Sequence, residues 1–217
     1  MITFQQIKQD SQILTYIQKA DETLAALGYT EHSLAHVGRV AETAGRLLAE
    51  LGHPPREAEL ARIAGYLHDI GNIVNRVDHA QSGAVMAFRL LDNMGMDAAE
   101  IAAVVSAIGN HDESTAFPVN AIAAALILGD KTDVRRSRVR NQDFASFDIH
   151  DRVNYAVTGA SAALNGKDFV LKIDVDTSIS PVLDYFEIFM DRMLLCRRAA
   201  DKLGLQFRLV VNNQTVL

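Results

Sequence analysis

The chain has 217 residues, 49% hydrophobic and 22% charged, with a net charge of −6 at neutral pH. That suits one large domain, or a domain with a small appendage, around an ordinary soluble core. The acidic balance argues against a general electrostatic nucleic-acid binder, and the single cysteine, Cys196, excludes an internal disulfide and a cysteine-rich zinc pattern.

In chain order, the polar start MITFQQIKQD lacks the apolar core of a signal peptide, so a cytoplasmic protein is expected. Thr3 is suited to cap a short first helix, and a second is predicted from Ser11 to Leu27, stopped by Gly28. Thr30 opens a third, with Leu34, Val37, Ala41, Ala44 and Leu48 on one face and its end at Gly52. Pro54-Pro55 start a fourth that runs to Gly71. Asp78 caps the helix of Met86 and Leu90. Asp97 and Glu100 make a capping-box-like start for Ile101, Val104, Val105 and Ile108. A last apolar helix covers Val119 to Lys131. The longest apolar run, around Ala121–Leu128, lies within it and is too short to span a bilayer, so no membrane partner is expected.

Beyond that point the pattern changes. Arg135, Arg136, Arg138 and Arg140 read as a basic linker. Val153–Leu164 and Phe169–Val175 read as strands joined by a turn at Asn165-Gly166. Pro181–Leu203 is a predicted helix and Leu205–Val211 a final strand, a candidate edge for pairing in a homodimer.

Six residues of metal-favouring type sit at or near the ends of the predicted helices: His36, His68, Asp69, His79, His111 and Asp130. Helical spacing puts them on apolar faces. His111 lies seven positions after Val104, and Asp130 lies four after Leu126. A lone histidine on such a face is more often a hydrogen-bonded core residue, and a lone aspartate a helix cap. Together they read differently, because core-facing carboxylates are costly without a cation. A divalent ion satisfies both acids and several neutral imidazoles at once.

The order His36 … His68-Asp69 … Asp130 resembles the HD superfamily of metal-dependent phosphohydrolases. HVGRVAETAGRL resembles its first histidine helix, AGYLHDIGN its His-Asp helix, and DHAQSGA the additional histidine motif of dinuclear members. AIGNHDE resembles the following histidine motif and LILGDKTDVRR the closing aspartate helix. The nearest branch is the small bacterial one that includes diadenosine tetraphosphate hydrolases, because no GYP motif follows His111. The pattern of strands and helix gives a small C-terminal α+β (β-β-α-β) region over residues 141–217; the resemblance, which stops short of it, implies a mostly α fold, an HD-type helical bundle over residues 1–140.

It also implies that His36, His68, Asp69 and Asp130 hold one divalent ion, and that His79 and His111 hold a second with Asp69 bridging. Fe, Mn, Ni, Zn and Mg remain open. The implied activity is hydrolysis of a nucleotide or other small phosphorylated metabolite by a metal-activated hydroxide. Asp69 and Lys131 are the candidate catalytic residues; Arg39, Lys131, Arg135 and Arg136 are candidates for substrate phosphate. Asp112 and Glu113 read as partners that orient His111, or as exposed acids, and Asp133 as a partner of the arginines or of substrate. One departure is Asn72, where many members carry a lysine expected to contact phosphate. Two alternatives stay open: an HD-fold di-iron oxygenase, and a non-catalytic nucleotide-sensing metal-binding module.

Overall fold

Most of the N-terminal helices begin at a side chain that accepts from their otherwise free amides. The computed structural model describes residues 1–217. Helix α1 (Phe4–Gln9) carries a capping box between Thr3 and Gln6, and Asp10 caps α2 (Ser11–Ala26). Helix α3 (Leu34–Glu50) starts at Ser33 instead of the expected Thr30. The preceding backbone is committed elsewhere: the Glu31 amide donates to the Arg138 carbonyl and the His32 amide to Asp21. Helix α4 (Pro55–Leu67) opens on proline and stops before the expected Gly71, and residues Ile70–Ile73 form a separate 3-10 turn.

Helix α5 (His79–Asn93) follows Asp78, whose side chain makes no capping bond, contrary to expectation. Asp78 sits in the left-handed region at φ 56°, which turns the chain sharply into the helix. Asp97 caps α6 (Ala98–Gly109), but the expected box is not completed. Glu100 instead receives the Arg56 guanidinium at 2.7 Å, tying α6 to α4. Helix α7 (Ala121–Lys131) is capped by Asn120 and buried along its whole length.

Helices α3, α4 and α7 form the centre of the body, with α6 and α5 packed beside them. Close approach of α3 and α4 needs a residue without a side chain at Gly65, where a Cβ would lie 2.8 Å from the Ala41 backbone. This brings the start of α3 against the end of α4.

The C-terminal region departs from the expected β-β-α-β order. Residues Ile149–Ala156 form helix α8, not the start of a strand, because Asp148 accepts from the Asp151 amide and nucleates a turn. Strand β1 (Val157–Asn165) then pairs antiparallel with β2 (Asp168–Val175) through a turn at Gly166-Lys167, one residue beyond the expected Asn165-Gly166, with Gly166 at positive φ. Helix α9 (Val182–Lys202) crosses to β3 (Gln206–Val211), which lies parallel to β2. A short β4 (Gln214–Thr215) closes a hairpin at Asn212-Asn213, both at positive φ. The sheet order is β1-β2-β3-β4, and β4 with the residues after it covers the Leu209–Val211 end of the outer edge of β3.

Phe169, Leu171 and Ile173 on β2 and Phe207, Leu209 and Val211 on β3 form one buried face. Helix α9 lies between that face and α7. Its Tyr185, Phe189, Met193 and Cys196 belong to the same connected core as Leu126 and Ile127 of α7. The C-terminal region therefore shares the core of the helical body, and this holds α9 in place against the candidate site. No helix is long and apolar enough to cross a membrane.

Candidate metal centre

The six residues lie at helix ends and converge. His36 is in the first turn of α3, His68 and Asp69 follow α4, His79 begins α5, His111 follows α6, and Asp130 is in the last turn of α7. All six are buried. Gly71 makes the convergence feasible, since a Cβ there would collide with the His79 carbonyl and the Gly83 amide. The 3-10 turn after Asp69 thus packs directly on the start of α5.

The donor atoms fall into two groups. In the first, His68 Nε2 lies 3.2 Å from Asp69 Oδ2 and 3.7 Å from Asp130 Oδ1. His36 Nε2 lies 3.6 Å from Asp69 Oδ2 and 3.4 Å from Asp130 Oδ1. In the second, His79 Nε2 lies 3.2 Å from His111 Nε2 and 3.6 Å from Asp69 Oδ1. Asp69 serves both groups, one oxygen to each.

Every ring is held by its other nitrogen. Nδ1 of His36 meets Asp133 Oδ2 at 2.8 Å, and Nδ1 of His68 meets the Gly65 carbonyl at 2.8 Å. Nδ1 of His79 and of His111 meet the carbonyls of Arg76 and Ile108 at 3.1 and 2.6 Å. An acceptor at Nδ1 keeps the proton there and leaves the Nε2 lone pair pointing inward.

Three of these inward atoms, His36 Nε2, His68 Nε2 and Asp69 Oδ2, are buried with no hydrogen-bond partner. Buried polar atoms are rarely left unsatisfied, so three that converge are suited to holding a cation. Imidazole and carboxylate within ion-sharing reach fit a divalent first-row metal. The electrostatics of the metal-free protein agree. Burial opposes charge on His68, but Asp69 and Asp130 outweigh it and raise its pKa to about 10. Against the same burial, His68 holds Asp69, and Lys131 holds Asp130, well below the usual carboxylate range. Burial, with His68 and Lys131 adding to it, lowers His111 to about 3. A proton on His68 thus stands where a metal would supply charge.

The residues expected to grip phosphate are placed differently. Lys131 is buried, with Nζ 2.6 Å from Asp130 Oδ2 and 3.3 Å from Glu113. It stands behind Asp130, holding one oxygen so that the other faces the histidines. Arg135 spreads its guanidinium over Asp133 and Glu31, and Arg136 donates to the Tyr155 carbonyl. Arg135 is thus tied to two acids, whereas Arg136 keeps Nη2 buried without a partner. Arg39 is exposed and lines a cleft with Thr43, Arg46 and Ser161 that none of the six metal-type residues lines.

Other residues take places in the site that the sequence pattern did not assign them. Asp133 supports His36, and its spacing of three from Asp130 was the available signal. Asn72 donates Nδ2 to Asp69 Oδ1 at 2.9 Å, so the side chain at the lysine position orients the shared carboxylate. Arg76 reaches Asn72 Oδ1 and His79 Nε2 at 3.3 and 3.4 Å. Glu113 joins Lys131 to Arg192 of α9, and Asp112 lies 3.9 Å from His79 Nε2. No local pattern announces Arg192, because its role depends on how α9 docks on α7.

Comparison with known proteins agrees with this geometry. The model of the HD domain family matches residues 33–141. Ribonuclease Y from each of two strains of Thermus thermophilus is 35% identical over 115 residues, which is 50% of this chain and 18% of each relative. This chain thus spans less than a fifth of those relatives. A solved structure described as a predicted HD superfamily hydrolase, from an uncultured Thermotogales bacterium, is 28% identical over 57% of this chain and 67% of that one, with a TM-score of 0.46. The matched residues contain all six inward-facing side chains and make up half the sequence: the chain belongs to the HD domain family.

Proposed function

We propose that this protein is a metal-dependent phosphohydrolase acting on a nucleotide or other small phosphorylated metabolite. Within the family, its DHAQSGA and AIGNHDE segments align it with the dinuclear branch that includes diadenosine tetraphosphate hydrolases. The observation that carries the reading is the convergence of His36 Nε2, His68 Nε2 and Asp69 Oδ2, buried and without partners.

In this reading His36, His68, Asp130 and one oxygen of Asp69 hold one divalent ion, and His79, His111 and the other oxygen of Asp69 hold a second. Ions bound there supply Lewis-acid charge for a phosphoryl group and lower the pKa of water toward neutrality. The chain's own residues fix the geometry. Asp133 and three backbone carbonyls set the imidazole tautomers. Lys131 holds the outer oxygen of Asp130, acting as a positioning residue. Asn72 holds the shared carboxylate of Asp69. With Arg135 tied to Asp133 and Glu31, a guanidinium that does reach the centre is that of Arg76, 3.4 Å from His79 Nε2. This cationic group suits an anionic phosphate substrate.

The likeness to ribonuclease Y makes RNA a second candidate substrate, which the net charge of −6 disfavours. The test is elemental analysis of protein purified without chelator, then a panel of nucleotides, phosphate monoesters and single-stranded RNA with the metal found. Hydrolysis of small phosphate compounds is expected, lost together with bound metal in His68→Ala. Wild-type turnover by His68→Ala, or oxygen consumption without phosphate release, would overturn the proposal.

A further inference from the structure

Beside the metal centre lies a cavity of about 390 Å³, a size that suits a small molecule. It opens between the Tyr29–His32 segment, Arg76 and helices α8 and α9. Three guanidiniums line it: Arg76, Arg138 and Arg192. Each is anchored along one side only. Arg138 donates Nε to the Glu31 carbonyl and Nη1 to the Asp133 carbonyl, leaving Nη2 without a protein partner. Arg192 donates Nε to Glu113 Oε1 at 2.8 Å and rests on Phe189, leaving both terminal nitrogens free. Arg76 uses Nη1 alone and lies over the Tyr29 ring.

Each of these links the cavity to the centre. Arg76 touches His79. Arg192 reaches Asp130 through Glu113 and Lys131. His32, also in the lining, packs edge-on against His36 at 5.4 Å. Three cavity-lining guanidiniums with free donors call for an anion there. Planar donors held by one edge suit the bidentate capture of phosphate oxygens. The lining also holds two carboxylates, Asp148, which caps α8, and Asp151, which accepts from Asn141, so three guanidiniums against two acids leave one net positive charge.

We propose that this cavity binds a second phosphate group of the substrate, so that the substrate class is a small molecule carrying at least two phosphates. The proposal rests on the phosphohydrolase reading for the first phosphate. It also gives the C-terminal region a task, because Asn154, Phe189 and Arg192 lie beyond residues 33–141 of the family match. Nucleoside diphosphates and sugar bisphosphates share the required chemistry.

The test has two arms on the full chain. In the first, chelator-treated protein is titrated with inorganic phosphate by calorimetry. One site is expected, weakened roughly ten-fold by Arg192→Gln and by Arg76→Gln, and unchanged by Arg46→Gln in the separate cleft. No binding, or equal binding in both variants, overturns the cavity as an anion site; if Arg192→Gln fails to fold, Arg76→Gln decides. In the second arm, the metal-loaded enzyme is assayed with ADP and AMP. Arg192→Gln should raise KM for ADP about ten-fold more than it raises KM for AMP. Equal increases for both nucleotides overturn the second-phosphate assignment, because the cavity would then hold the scissile group. Arginine-dependent phosphate binding without turnover of any phosphate compound would count against the phosphohydrolase reading while supporting the anion site.

Discussion

The two halves of the metal centre are built unequally. The first has four side-chain ligands, three of whose inward atoms are sealed from solvent and unsatisfied. Its histidines and acid are braced by Asp133, the Gly65 carbonyl and Lys131. The second has His79, His111 and the remaining oxygen of Asp69, and two N–H donors, from Asn72 and Arg76, already stand among those atoms. The first half has the dry, fully braced character of a high-affinity subsite. The second stands against Arg76, one of the guanidiniums that line the neighbouring cavity. On the two-ion proposal, the braced half is expected to fill first.

The severest way to break the contrast is to remove what the halves share. Asp69→Ala should lose both ions and all hydrolysis while circular dichroism keeps its helical signal; retention of either ion would show that Asp69 does not bridge. A smaller effect is expected from His111→Ala. Elemental analysis should fall from two equivalents toward one with the first subsite intact, and turnover should drop steeply. Loss of both ions there would erase the distinction. Smaller again is Asp133→Asn, which leaves every ligand in place but weakens the bond that orients His36. Competition with a metal-sensitive dye should show first-site affinity lowered ~10–100-fold with second-site affinity little changed.

The last prediction concerns protons. In the metal-free protein the neighbouring acids raise His68 from its ordinary 6.5 to about 10, so it is charged at neutral pH. Binding at the first subsite must expel that proton. Calorimetry in buffers of differing ionisation enthalpy should register release of about one proton near pH 7.5, and affinity should climb with pH until about pH 10. The linkage has a definite sign in the metal-free state. A raised folded pKa stabilises the fold fully below pH 6.5, and that contribution is lost as pH rises through about 10. Thermal melts should show this loss without metal and a weaker pH dependence with it.

The sequence made the ligands legible for a physical reason. Costly polar side chains at helix ends, in phase with apolar faces, have few uses other than a shared ion. The helices were legible too, except at Thr30, where tertiary bonds of the Glu31 and His32 amides outbid a local cap. The charges around the centre were not. Lys131 and Arg135 looked free because Asp130, Glu113, Asp133 and Glu31 meet them only after folding. Arg192 sits in a helix that reads as ordinary core, far along the chain from the motifs. The α8 error has a local cause: Val153, Ala156 and Val157 fit a strand, and Asp148 alone tips the first two into a helix.

The most direct measurement is anomalous diffraction from crystals grown with Mn²⁺. The account predicts a strong peak within coordination reach of His36 Nε2, His68 Nε2, Asp69 Oδ2 and Asp130 Oδ1, with a weaker one beside His79 and His111. Ions found only elsewhere on the protein, with this cluster empty under saturating metal, would contradict it.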